Sequence, residues 1–248
     1  MKESLPVFEV TDLHVRYGAM EAVKGVSFTL ARGETLGIVG ESGSGKSTIA
    51  KTLIGLEKAS AGTIINRANS VQMVFQDAVG SLNPRMTVRQ ALEEVLSHAA
   101  ARRRESSAGY LQGLGTISEK AAKLLEIVGL SAAVLEQYPR EMSGGQCQRV
   151  SVARALACTP EVLIADEPVS ALDVSVQARI LNLLRQLRRE LGLSILLIAH
   201  DLAVVKNVCD DIAVMEKGVF VDQGPADKVF AHPQSAYTRK LLSAVPTI

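Results

Sequence analysis

The chain has 248 residues, a formal net charge of +1 and 47% hydrophobic residues. That size and apolar content make it globular, as one large domain or one domain with an inserted lobe. The near-neutral balance excludes bulk nucleic-acid binding through a basic surface, and 4% aromatic content without Trp excludes a base-stacking platform.

The N-terminal segments PVFEVTDLHVRY (6–17) and AVKGVSFTL (22–30) alternate and predict strands with one face buried, forming an antiparallel sheet. TLGIVG (35–40) is a short, mostly apolar strand. A loop, GESGSGKST (40–48), follows, and then STIAKTLIGL places Ile49, Leu53, Ile54 and Leu56 near helical spacing. VQMVF (71–75) is the next strand. Thr87 and Gln90 then form a capping box before a helix with Val88, Leu92, Val95 and Leu96 on one face. A second helix, EKAAKLLEIV, is expected to start after Ser118 and to end at Gly129. Residues 87 to about 140 are therefore read as an inserted helical lobe within a single domain spanning 1–248. Inside the lobe, the Arg102–Arg104 cluster reads as a solvated loop.

MSGGQCQRVSVARALA (142–157) opens on a flexible Ser143–Gly144–Gly145 turn and becomes helical. VLIA (162–165) and ILLIA (195–199) are apolar throughout, as parallel strands covered on both faces should be. Between them Asp173 caps a long helix whose stripe is Val176, Ile180, Leu183, Leu184, Leu187 and Leu191, with Gly192 placed to end it. IAVMEKGVFVDQG (212–224) reads as a hairpin turning about Glu216 to Gly218, and AYTRKLLSAV as a last helix after Pro233.

The cysteines, Cys147, Cys158 and Cys209, are odd in number and lack metal-ligand spacing, so reduced thiols of a cytoplasmic protein are expected. No run approaches the ~18 apolar residues of a membrane span. The opening MKESLPVFEV lacks the apolar centre of a signal peptide, so a membrane role must come through partners.

The loop fits G-x-x-x-x-G-K-[ST] as Gly40, Gly45, Lys46 and Ser47, between a strand and a helix. Gly40, Gly43 and Gly45 let backbone N–H groups turn inward, and the helix adds its positive end. Lys46 reaches the outer phosphates of a nucleoside triphosphate, and the Ser47 hydroxyl suits Mg2+. A mobile glycine-serine turn would not explain the lysine. VLIADE ends in Asp166, a second Mg2+ contact, and Glu167, placed to deprotonate attacking water. The other predicted strands run into Gln76 and His200. Ligands of parallel α/β sheets bind beyond the carboxyl ends of the strands, so Gly40, Gln76, Asp166 and His200 should converge on one site. Singly, Gln76 is an ordinary loop amide and His200 a capping or core histidine. Ser143–Gly145 is equally a second anion-receptive helix start or a plain cap.

Together these residues resemble the nucleotide-binding subunit of ATP-binding cassette (ABC) transporters over nearly the whole chain. GESGSGKST looks like the Walker A loop, contributing Gly40, Glu41, Ser42, Gly43, Ser44, Gly45, Lys46, Ser47 and Thr48 to ATP. VLIADE looks like Walker B with the catalytic Glu167. Gln76 matches the Q-loop, which also serves Mg2+, and His200 the switch histidine. Ser143, Gly144, Gly145 and Gln146 match the signature, and Ser170, Ala171, Leu172 and Asp173 the D-loop. Tyr17 falls where the family stacks an aromatic ring on adenine. The implied fold is an α/β P-loop core with a mostly parallel sheet, an N-terminal antiparallel β subdomain and an inserted helical subdomain.

The resemblance implies ATP and Mg2+ as cofactors and a head-to-tail dimer with an identical or related ATPase, the signature of one subunit facing ATP held by the other. It also implies two membrane permeases, indirectly a solute-binding protein, and a peripheral place on the cytoplasmic face of the membrane. QMVFQD, SLNPR, SALDVSVQARILNLL and HPQSAYTRKLL narrow it to the group that imports peptides, nickel and metal–chelator complexes. Met142 stands where that group carries leucine, and GTIINRANSV (62–71) is shorter than the group's segment, so its usual strands are not assumed there. The sequence as given ends at Ile248, before the cysteine-containing extension of many peptide importers, which weighs against a dipeptide cargo. The alternative is a soluble cassette ATPase serving an enzyme complex such as carbon–phosphorus lyase. A DNA-repair or ribosome-acting cassette would show coiled-coil inserts, zinc cysteines or tandem cassettes, and ranks last.

Overall fold

The computed structural model describes residues 5–101, 109–170 and 172–243; Arg102–Arg104 and Ala171 lie outside the described residues. Strands β1 (Phe8–Tyr17), β2 (Met20–Leu30) and β4 (Ala61–Asn66) form an antiparallel sheet in the order β2-β1-β4. Between them come β3 (Thr35–Val39) and helix α1 (Lys46–Leu53). β5 (Val71–Val74), β6 (Val162–Asp166), β7 (Ser194–Ala199), β8 (Asp211–Glu216) and β9 (Val219–Pro225) join β3 in a six-stranded sheet. Its order is β5-β6-β7-β3-β8-β9, parallel apart from the closing β8–β9 hairpin.

Alternation decides which face of this sheet each side chain serves. Leu36, Ile38, Val162, Ile164, Leu196 and Ile198 point toward α1 and the antiparallel sheet, where Phe8, Leu13, Val26, Phe28 and Ile49 complete one core. Val39, Leu163, Ala165, Ile195, Leu197 and Val214 point the other way. There they meet α4 (Gly144–Leu156), α5 (Val174–Leu191), α6 (Leu202–Lys206) and α7 (Ala226–Ala231), with α8 (Ala236–Ser243) at the margin. With both faces covered, β3, β6 and β7 are buried along their whole length.

α2 (Val88–Ala101) and α3 (Ile117–Ile127) pack on each other and on α4. The Thr87–Gln90 capping box is present at α2: the Thr87 N–H donates to Gln90 Oε1 at 2.9 Å and the Gln90 N–H to Thr87 Oγ1 at 3.3 Å. α3 starts earlier than expected. Thr116, not Ser118, is its cap, and Glu119 reaches back to close the box. α5 follows its prediction, capped by Asp173 and closed at Gly192 in the left-handed conformation.

The short 62–71 segment does hold a strand. β4 pairs with β1 from Phe8↔Asn66 to His14↔Ala61, and Arg67 secures its end by donating to Glu9 Oε2 at 2.8 Å. Among the described residues, no helix is long and apolar enough to cross a membrane.

Candidate nucleotide site

β3 ends at Val39, and the 40–48 loop folds back over its tip before α1 begins at Lys46. The loop is wedged between two strands. A Cβ on Gly40 would lie 2.1 Å from the Met215 carbonyl oxygen on β8. One on Gly45, whose φ is 111°, would lie 2.4 Å from the Ala22 carbonyl oxygen on β2. Both contacts are with backbone, which cannot swing aside, so these two positions demand glycine. The Gly218 N–H, in the β8–β9 turn, donates to the Ser44 carbonyl at 3.0 Å and fixes the loop from a third side.

Lys46 is 4% exposed and turns back over its own loop, donating to the carbonyls of Gly40 at 2.7 Å and Glu41 at 2.9 Å. Burial holds its ammonium below the ordinary lysine range, against the pull of Glu167, whose Oε1 is 3.7 Å away. The Ser47 hydroxyl donates to Asp166 Oδ1 at 2.9 Å. Ser44 Oγ is buried without a hydrogen-bond partner.

Glu167 follows Asp166 with φ 45°, an uncommon conformation for a non-glycine residue and a form of strain that clusters at functional sites. Its N–H donates to the Ile198 carbonyl at the end of β7, which holds the turn. The carboxylate is a meeting point. Gln76 Nε2 donates to Oε2 at 2.9 Å, His200 Nδ1 lies 3.9 Å from the same oxygen, and Lys46 faces Oε1. Ser170 Oγ, on the next turn, donates to the Glu167 carbonyl at 3.2 Å. Gly40, Gln76, Asp166 and His200 thus stand at the ends of β3, β5, β6 and β7, as the parallel-strand argument requires.

The remaining residues sit apart from this centre. Tyr17 ends β1 opposite Met20 and is 39% exposed, two residues in register from the Ala22 carbonyl that abuts Gly45. Ser143 caps α4: its N–H donates to Gln146 Oε1 at 2.8 Å and its hydroxyl accepts from the Gln146 N–H at 3.3 Å. Among the described residues, no hydrogen bond or ion pair joins Ser143–Gln146 to the 40–48 loop. Asp173 spends its carboxylate on the start of α5, accepting from the Val176 N–H at 3.0 Å, and Leu172 packs against the helical core.

A cleft of about 430 Å³, lined by Gln76, Val79, Gly144, Glu167 and Leu172, connects the centre with the start of α4. A larger cleft, about 910 Å³, lies at the opposite ends of the strands beside Gly33, Arg185, Arg188 and Arg189. Arg188 there is already bound to the Gly33 carbonyl at 2.7 Å and to Asp210 at 2.9 Å, so among the described residues the second cleft holds no converging set comparable to that around Glu167. One contact was not foreseen from the sequence: the Tyr237 hydroxyl accepts from the Glu41 N–H at 3.0 Å.

Burial pushes the Asp166 carboxyl up from its ordinary range, and the Ser47 hydroxyl opposes that only in part. A carboxyl raised in the folded state adds stability below its unfolded pKa and loses it as pH rises through the folded value. At neutral pH the ionised group is therefore a net cost. Asp166→Asn keeps an acceptor for Ser47 and should unfold at a higher temperature than the parent, without nucleotide. The gap should be widest at pH 7–8 and close as pH falls toward the usual aspartate range, about 4. Equal melting curves at pH 7 would contradict it.

The sequence pattern of the family described as ABC transporter matches residues 23–170, more than half of the chain. The chain belongs to the ABC transporter family. It is similar to the oligopeptide transport ATP-binding protein OppF of Lactococcus lactis subsp. lactis, 45% identical over 242 residues, which cover 92% of this chain and 73% of that protein. OppF of Escherichia coli K12 is 46% identical over 244 residues, covering 92% and 70%. Among solved structures, cbiO1 of Clostridium perfringens, part of the ABC transporter complex cbiONQ, has a TM-score of 0.77 at 27% identity, covering 98% of this chain and 97% of that one. The ATP-binding cassette MJ0796, a dimeric post-hydrolysis state bound to ADP and Pi, has a TM-score of 0.73 at 28% identity, covering 88% and 98%. The ABC chain has the ABC ATPase fold, binds ATP and is an ATP-hydrolysing enzyme.

Proposed function

We propose that the chain is the ATP-hydrolysing motor of an oligopeptide importer, working as one half of a head-to-tail ATPase dimer beneath two membrane permeases, on the cytoplasmic face of the membrane. The observation that carries this reading is the meeting of Lys46, Gln76 and His200 on the Glu167 carboxylate beside the Ser47–Asp166 pair. The similarity to OppF proteins carries the cargo class.

In this reading the 40–48 amides and Lys46 bind the phosphates, and Tyr17 stacks on the adenine. Ser44 Oγ, buried and unpaired, suits a phosphate oxygen. Ser47 and Asp166, with Gln76, would hold Mg2+; a hydroxyl 2.9 Å from a carboxylate is the hard-oxygen donor set that ion prefers. When bound, the ion neutralises charge on the outer phosphates. Glu167 takes the proton of the attacking water, Gln76 orients that water, and His200 donates toward the γ-phosphate. Ser143, Gly144, Gly145 and Gln146 face ATP held by the second subunit, and Ser170–Asp173 follow that junction. Residues 87–140 form the lobe that, with the Gln76 segment, meets the permeases. A solute-binding protein outside the membrane would select the cargo.

The test is co-expression with the two permease subunits of an oligopeptide importer. The chain should co-purify with both from membranes, and oligopeptides with their binding protein should stimulate ATP hydrolysis where nickel and metal–chelator complexes do not. Full-rate hydrolysis by the chain in cytosol, with no membrane partner recovered, would overturn the importer reading in favour of a soluble accessory ATPase.

A further inference from the structure

HPQSAYTRKLL (232–242) has no task in the reading above, yet it ends on the phosphate loop. Asp222, on β9 and 8% exposed, accepts from the Gln234 N–H at 3.0 Å and the Ser235 N–H at 2.9 Å. Ser235 Oγ then accepts from the Tyr237 N–H at 3.1 Å, and the buried Thr238 follows on the next position. Arg239 closes the turn by donating to the carbonyls of Pro233 and Gln234, both at 3.0 Å. The start of α8 is thereby pinned to the sheet, with Tyr237 half-buried against the core. From that fixed base its hydroxyl reaches Glu41, 196 positions earlier in the chain, and accepts from its N–H.

Glu41 is a junction. Its carbonyl accepts from Lys46 Nζ at 2.9 Å and from the Ser44 N–H at 3.2 Å. Tyr237 therefore holds one end of the peptide unit pair whose other end holds the lysine. The neighbouring Gly43, with φ 80° and nothing within 4 Å of its missing side chain, gives the loop freedom that must be removed when it closes on phosphates. Lys240 also approaches Glu41, Nζ to Oε1 at 3.9 Å, but both side chains are exposed, so this pair contributes little.

We infer that Tyr237 is a positioning residue for the ATP site, its hydroxyl fixing the Gly40–Glu41 turn in the conformation from which Lys46 and the loop amides meet the phosphates. This rests on the reading of the 40–48 loop as the phosphate cradle. A displacement of α8 would be felt at Lys46 without any contact between α8 and nucleotide.

The test is Tyr237→Phe in the full chain, which keeps the ring and deletes the acceptor. ATP and ADP dissociation constants should each rise about 3–10-fold, the loss of one ordinary hydrogen bond. The turnover at saturating ATP should change less than the affinity. Exchange of the Glu41 amide with solvent, followed by NMR, should quicken while amides of α8 and the β3–β7 core keep their rates. Lys240→Ala, the control for the charge contact, should bind ATP within about twofold of the parent, as an exposed ion pair predicts. Unchanged affinity in Tyr237→Phe overturns the inference, whatever happens to the Glu41 amide. Weaker binding with faster exchange throughout α8 and the core overturns it too, because the side chain would then be merely structural. Failure of the parent chain itself to bind ATP would instead sink the reading of the loop.

Discussion

Glu167→Gln should lower ATP turnover about 10²–10⁴-fold, the range for loss of a general base, while ATP still binds with near-parental affinity. The substitution is almost isosteric, so the strained turn at φ 45°, secured by the Glu167 N–H to the Ile198 carbonyl, should persist. Gln76 can still donate to the remaining amide oxygen, at the position where it now donates to Oε2. What disappears is the capacity to accept a proton from water, and with it the negative charge that faces Lys46 at 3.7 Å. Loss of that charge frees Lys46 for phosphate, so affinity should hold or improve slightly. Single-turnover hydrolysis and fluorescent-nucleotide titration measure the two quantities separately. Turnover within tenfold of the parent would remove Glu167 from the role of base and leave it a structural anchor for Gln76 and His200.

The elements visible in the sequence are those whose environment is uniform or regularly periodic along their length. VLIA and ILLIA are apolar at every position because helices and the second sheet cover both faces of β6 and β7. α5 is visible because its stripe, cap and terminal glycine agree. β4 is the opposite case. It is a sheet edge, almost wholly exposed, so it neither alternates nor forms an apolar run, and only its pairing with β1 makes it a strand. α6 is five residues long, too short for any period to register, and depends on Asp201 accepting from the Ala203 N–H. At α3 the strong helix formers after Ser118 masked the true cap, because Thr116 precedes an apolar Ile117 exposed at the surface.

The site was legible for a topological reason. Parallel strands of one sheet end on one side, so residues read separately at the ends of four runs had to meet. Three details are invisible in one dimension. The pinning of the loop by Met215 and Ala22 carbonyls involves backbone atoms, which carry no residue signal. The pairing of Ser143 with Gln146 satisfies both side chains locally, so the bonds of this helix start carry no sign of what it faces. The reach of Tyr237 to Glu41 spans nearly the whole chain, and neither residue type at its position suggests the other.

Lys46→Met should weaken ATP binding about 10²-fold or more while the nucleotide-free protein keeps its melting temperature within a few degrees. The affinity loss follows from where the ammonium sits. It is buried, and removing one partner of a buried charge pair costs about 3–5 kcal/mol, or 10²–10³-fold and beyond. The stability expectation runs the other way because burial already holds this ammonium below its usual range. Methionine keeps the apolar stem and deletes a desolvated charge, which offsets the two hydrogen bonds lost at the Gly40 and Glu41 carbonyls. The two effects separate in one thermal-shift experiment. Ligand at 100 times its dissociation constant adds about 2.7 kcal/mol of stability. At that ATP concentration the parent and Glu167→Gln should both melt higher, whereas the gain of Lys46→Met should shrink to about 0.4 kcal/mol or less. A Lys46→Met protein that melts far below the parent without nucleotide would mean that the lysine holds the loop together, and its part in phosphate binding would then have to be measured with Lys46→Arg, which retains the charge.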